Sequence, residues 1–128
     1  MRNPASWLAL VFFAFILWII YLADTGSAVL IALVSQVPYG DKFGHLLLYG
    51  VLTLLLNLAL ELRTLNLGRL RLYFGTFAVS LFAFFEELTQ AWLPYRTLDG
   101  QDLIADAVGI TGFSLLSLGV HRLKAPAG

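Results

Sequence analysis

From Arg2 to Asp24 the chain runs without a charged residue, through ASWLALVFFAFILWIIYLA. About 20 such residues wound as a helix cross the hydrocarbon core of a bilayer. The rest of the sequence extends the constraint. Of 128 residues, 59% are hydrophobic and 12% charged, where a soluble domain carries roughly 25% charged residues. One all-α membrane domain is expected over residues 1–128.

Four segments have the length of a span, at about 5–23, 43–60, 72–93 and 103–120. The expected fold is a polytopic four-transmembrane-helix bundle. None of the four alternates as a barrel strand does, so strands are not expected. A signal peptide is the rival reading of the first segment, with Arg2 ahead of it and Gly26-Ser27-Ala28 behind. Its apolar run exceeds the usual 7–15 or so residues of a signal.

Arg2, Arg63, Arg69, Arg71, Arg122 and Lys124 fall on one side of a four-span chain, and Lys42 and Arg96 on the other. Basic residues mark the cytoplasmic side, which predicts both termini inside. The loop ELRTLNLGRLR (61–71) alternates leucine with arginine, which suits a segment lying on anionic headgroups, but the preferred reading is a simple topology signal. The run AVLIALV (28–34) is too short to span and is expected to lie flat or re-enter.

The acids are skewed the other way. Asp24, Asp41, Glu86, Glu87, Asp99, Asp102 and Asp106 all belong to the outer half. Acids weigh little in topology, so insertion does not explain the skew. A carboxylate at mid-helix costs roughly 2.5–3.5 kcal/mol. Glu86 and Glu87 lie about 10 Å below Pro94 at a rise of ~1.5 Å per residue. At least one of them is expected to turn inward.

Spacing says where they meet. Asp41, His45 and Tyr49 are four apart on one face of the second span, and Asp102 and Asp106 share a face of the fourth with Gly109 nearby. Gln90 is placed to reach Glu86 or Glu87. Three helices thus offer polar stripes at similar height. Gly44 and Gly50 in the second span, with Ala105, Gly109 and Gly112 in the fourth, let helices approach closely.

Several chemistries are excluded. The chain has no cysteine, hence no disulfide, thiolate site or cysteine nucleophile, and its net charge of zero suggests no nucleic-acid partner. No nucleophile motif or H-E-x-x-H pattern occurs, so no cofactor and no metal are expected. Four readings of the outer cluster stay open. Polar pairs can fix helix packing, with His45 bonding Glu87 or Asp106 and Arg96 bonding Asp99 or Asp102. Lys42 and Arg96, flanked by Trp92 and Tyr95, can hold a phosphate headgroup. His45 and Glu87 are the candidate acid–base pair of an enzyme, and carboxylates beside one histidine also suit a divalent cation. Glu86, Glu87 and Asp106 can relay protons, although four spans without an inverted repeat are few for a transporter.

DKFGHLLLYGVL (41–52), EELTQAWLPYR (86–96) and DLIADAVGITG (102–112), in this order, resemble the VanZ-like family of small bacterial membrane proteins. The first is similar to a D-K-x-x-H-x-x-x-Y signature and the second to E-x-x-Q followed by P-x-R. The third places an Asp four residues before a polar residue, then a Gly. The matching positions are Asp41, Lys42, His45, Tyr49, Glu87, Gln90, Pro94, Arg96, Asp102, Asp106 and Gly109. Glu86 lies outside the pattern, and Asp106 departs from the Asn frequent there. The resemblance covers about 41–112. It implies the bacterial cytoplasmic (inner) membrane and a role in the cell envelope, the family being named for a protein that lowers sensitivity to the antibiotic teicoplanin. Besides the lipid bilayer, a lipid or lipid-linked cell-wall precursor is the implied partner, and a homo-oligomer is left open.

Overall fold

The computed structural model describes residues 3–36, 38, 40–94 and 100–124, apart from the side chains of Asp41 and Lys124. Helix α1 (Pro4–Asp24) starts where Asn3 accepts the Ser6 N–H at 2.9 Å and Pro4 supplies a preset first turn. Gly26, at φ 71°, turns the chain into α2 (Ala28–Ser35), which Ser27 caps by accepting the Leu30 N–H at 3.2 Å. Eight residues make about 12 Å of helix, too short to cross a bilayer. Helix α3 (Gly40–Ala59) follows, then strands β1 (Thr64–Leu67) and β2 (Leu70–Tyr73), helix α4 (Phe74–Thr89), a 3-10 turn (Gln90–Trp92) and α5 (Gly100–Lys124).

Among the described residues, three helices are long and apolar enough to cross a membrane: Pro4–Asp24, Lys42–Ala59 and Gly100–Leu123. The remaining expected span, 72–93, is divided. Strand β2 occupies its start, α4 covers 16 residues, and the chain tightens to 3-10 geometry at Gln90. The α-helical part is about 24 Å long, and the 3-10 turn adds about 6 Å.

The loop between α3 and α4 is a β-hairpin, which corrects the expectation that strands are absent. Leu65 pairs with Leu72 and Leu67 with Leu70, so four leucines share one face. Asn66 and Arg71 pair on the other. Gly68, at φ 64°, opens the two-residue turn as a type II′ hairpin requires. Helix α3 stops just before it. The Leu62 N–H donates to Asn57 O at 2.8 Å and the Glu61 N–H to Leu58 O at 3.1 Å, the paired bonds of a Schellman ending. Glu61 takes the left-handed position (φ 57°) where glycine is usual.

Helix α3 is the hub, packing on α5, α1 and α4. Ile16, Tyr49, Leu52, Val79, Ala83 and Ile110 form the buried core. Asn3 Nδ2 donates to Leu58 O at 3.4 Å, placing the start of α1 beside the end of α3. The helices therefore alternate in direction. Large apolar side chains such as Trp7, Val11, Trp18, Phe85, Ile104 and Leu115 point outward, a surface suited to lipid rather than water.

Candidate functional site

The alternation brings the beginnings of α3 and α5 to the end of α4. Lys42 Nζ donates to Asp102 Oδ1 at 2.6 Å. One turn along α3, His45 Nδ1 lies 2.7 Å from Asp106 Oδ1, and His45 Nε2 lies 3.8 Å from Asp102 Oδ2. One turn further, the Tyr49 hydroxyl donates to Glu86 Oε2 at 3.4 Å, while its ring stacks on His45 with centroids 5.8 Å apart. Gln90 Nε2 donates to both oxygens of Glu86, at 3.1 and 3.2 Å, and to Glu87 Oε2 at 3.1 Å.

These groups form a graded well. The Lys42 and His45 side chains are 20% and 16% exposed, whereas that of Asp106 is 1% exposed. Glu87 is wholly buried, and Glu86 nearly so. Asp106 Oδ2 is buried without a hydrogen-bond partner among the described residues. His45, Glu87 and Asp106 each bring one ligand atom to within 4.8 Å of the others, so these three could hold a metal ion.

Of the site residues read from sequence, Lys42, His45, Tyr49, Glu86, Glu87, Gln90, Asp102 and Asp106 come together here. Asp106 is the hydrogen-bonded partner of His45, and Lys42 engages Asp102. Both glutamates turn inward, where one is the minimum the insertion penalty demands. Tyr95, Arg96 and Asp99 lie outside the described residues, as does the Asp41 side chain. Trp92 is 78% exposed on its 3-10 turn. Gly50 and Gly109 sit in close helix contacts, the former against the Phe113 ring and the latter against the Leu46 backbone, while Gly44 and Gly112 face open space.

Sequence reading missed a second polar layer at the other end of the bundle. Asn57 Nδ2 donates to Thr76 Oγ1 and to Ser117 Oγ, each at 3.1 Å, and Asn57 Oδ1 accepts the Thr76 N–H at 3.0 Å. Thr76 and Ser114 hydroxyls lie 2.6 Å apart. This layer is neutral, its hydrogen bonds link three helices, and it reads as packing glue. The signal was available: from Asp41 the four-residue step continues through Tyr49 to Thr53 and Asn57. An apolar cleft lined by Ala9, Phe13, Leu56 and Val79 opens at that same end, away from the charged cluster.

No protein-family model, curated protein or solved structure matches the chain.

Proposed function

We propose that this chain is a VanZ-like membrane protein of the bacterial cell envelope whose charged well receives the phosphate-bearing headgroup of a lipid or lipid-linked cell-wall precursor. In this reading α4 and its 3-10 turn complete a fourth crossing, both termini are cytoplasmic, and the well opens to the outer leaflet of the cytoplasmic membrane. The observation that carries it is the gradient of exposure, with Lys42 and His45 at a partly open rim above a sealed floor of Glu87 and Asp106. A cluster serving helix packing alone needs no opening, as the enclosed Asn57–Ser117 layer illustrates. At the rim Lys42 supplies a mobile point charge for phosphate, exchanging Asp102 for the ligand. Arg96 is the second candidate cation for the phosphate by sequence.

The test is lipid retention. Protein extracted in mild detergent is expected to carry a bound phospholipid or lipid-linked phosphate, seen by native mass spectrometry. Lys42→Ala is expected to lose it while remaining monodisperse. Wild-type protein carrying no more lipid than an unrelated membrane protein of similar size contradicts the proposal.

A second reading has its own observation. The 2.7 Å contact of His45 with Asp106 is the geometry of a base held by an orienting carboxylate. It favours an enzyme acting on a lipid-linked envelope substrate, with Asp106 in the place that sequence assigned to Glu87.

A further inference from the structure

We infer that His45, Glu87 and Asp106 together bind one divalent cation of the Mn²⁺ or Zn²⁺ type in the floor of the well. The inference rests on the headgroup reading for the cation's purpose, but not for the binding itself.

The first support is convergence. The three residues come from three different helices, yet each presents a ligand atom within 4.8 Å of the others. Ligands bound to one divalent ion at about 2.0–2.6 Å stand no more than about 4–5 Å apart. The second is the state of Asp106. Its side chain is fully buried, Oδ1 lies against His45, and Oδ2 has no partner among the described residues. Buried carboxylate oxygens are satisfied with few exceptions, and a cation is the partner whose charge matches this one.

In the headgroup reading a divalent ion at this place offers its charge to the phosphate oxygens that enter past Lys42 and His45.

Donor chemistry narrows the ion. One imidazole nitrogen with two carboxylate oxygens suits Mn²⁺ or Zn²⁺ better than the all-oxygen preference of Mg²⁺ or Ca²⁺. A supporting carboxylate is near. His45 Nε2 lies 3.8 Å from Asp102 Oδ2, beyond hydrogen-bond distance, and a small ring rotation on metal binding would close that gap. Asp102 is in turn held by Lys42 at 2.6 Å. A ligand histidine backed by a carboxylate is the usual arrangement around bound metals.

The test uses the 128-residue chain purified in detergent, stripped with a chelator and titrated with Mn²⁺ alone. Binding is read by loss of the free-ion electron paramagnetic resonance signal, with Zn²⁺ as competitor. One equivalent per chain is expected, displaced by Zn²⁺ and not by equimolar Mg²⁺. Asp106→Asn is expected to weaken binding at least about 100-fold and Asp102→Asn about 10–100-fold, the range found for residues that support a ligand. If Asp106→Asn is not monodisperse, Glu87→Gln replaces it. Wild-type protein that leaves both ions free, or ligand variants that bind as wild type does, would overturn the site. Lipid retained without any bound metal removes the cation alone. Metal bound without retained lipid supports the cation site and removes the headgroup reading.

Discussion

At Asp106 a carboxylate is wholly buried with one oxygen against His45 and the other without a described partner. Its importance was legible, because an acid at that depth in an apolar helix is costly wherever it faces lipid. That His45 is its partner was legible only as one of two options, with Glu87 the other acid in reach of the imidazole, since spacing along one helix says nothing about the rotation of its neighbours. Glu61 is the opposite case. Nothing in ALELRT announces a left-handed residue, yet Glu61 ends α3 at φ 57° in a position glycine fills without strain. Glu61→Gly is therefore expected to stabilise the protein by about 1 kcal/mol. Thermal unfolding in detergent checks this, and a lower melting temperature than wild type would contradict the Schellman ending described above.

Among the elements, the long apolar helices were readable from length and composition, and the divided segment was not. Strand β2 takes residues 72 and 73 from the expected span because TLNL and LRLY alternate with period two around Gly68. The same alternation is visible in sequence, but on so short a run it also fits a chain lying along headgroups. The tightening at Gln90 has its local signal in Pro94, four residues on, which lacks the N–H that would bond the Gln90 carbonyl and crowds that carbonyl with its ring. The contact of α3 with α5 is the element interface that sets the site, and Gly109 sits in it against Leu46. A Cβ there would run into the backbone of Leu46, whereas one at Gly44 meets nothing within 4 Å. Gly109→Ala is expected to destabilise by about 1–3 kcal/mol, the usual range for overpacking. Gly44→Ala is expected to be neutral or to stabilise by up to about 1 kcal/mol through helix propensity. Equal effects of the two substitutions on melting temperature would mean that α3 and α5 do not pack through Gly109.

For the molecule as a whole, one reading joins the parts: a bundle with a neutral polar layer at one end and a charged well at the other. Residues on three helices reach the same height only because successive helices reverse direction, and that reversal was inferred from loops and basic residues rather than from the polar stripes themselves. The orientation proposed in the membrane depends on the same basic residues. Absence of native cysteine makes it directly measurable. Asn66 is exposed on β1, and Gly100 is exposed at the start of α5 with room for a side chain. In intact cells, Gly100→Cys is expected to react with a membrane-impermeant maleimide, and Asn66→Cys only after the membrane is opened. Labelling of Asn66→Cys in intact cells, with Gly100→Cys protected, would place the charged well on the cytoplasmic side and contradict an outward-facing headgroup site.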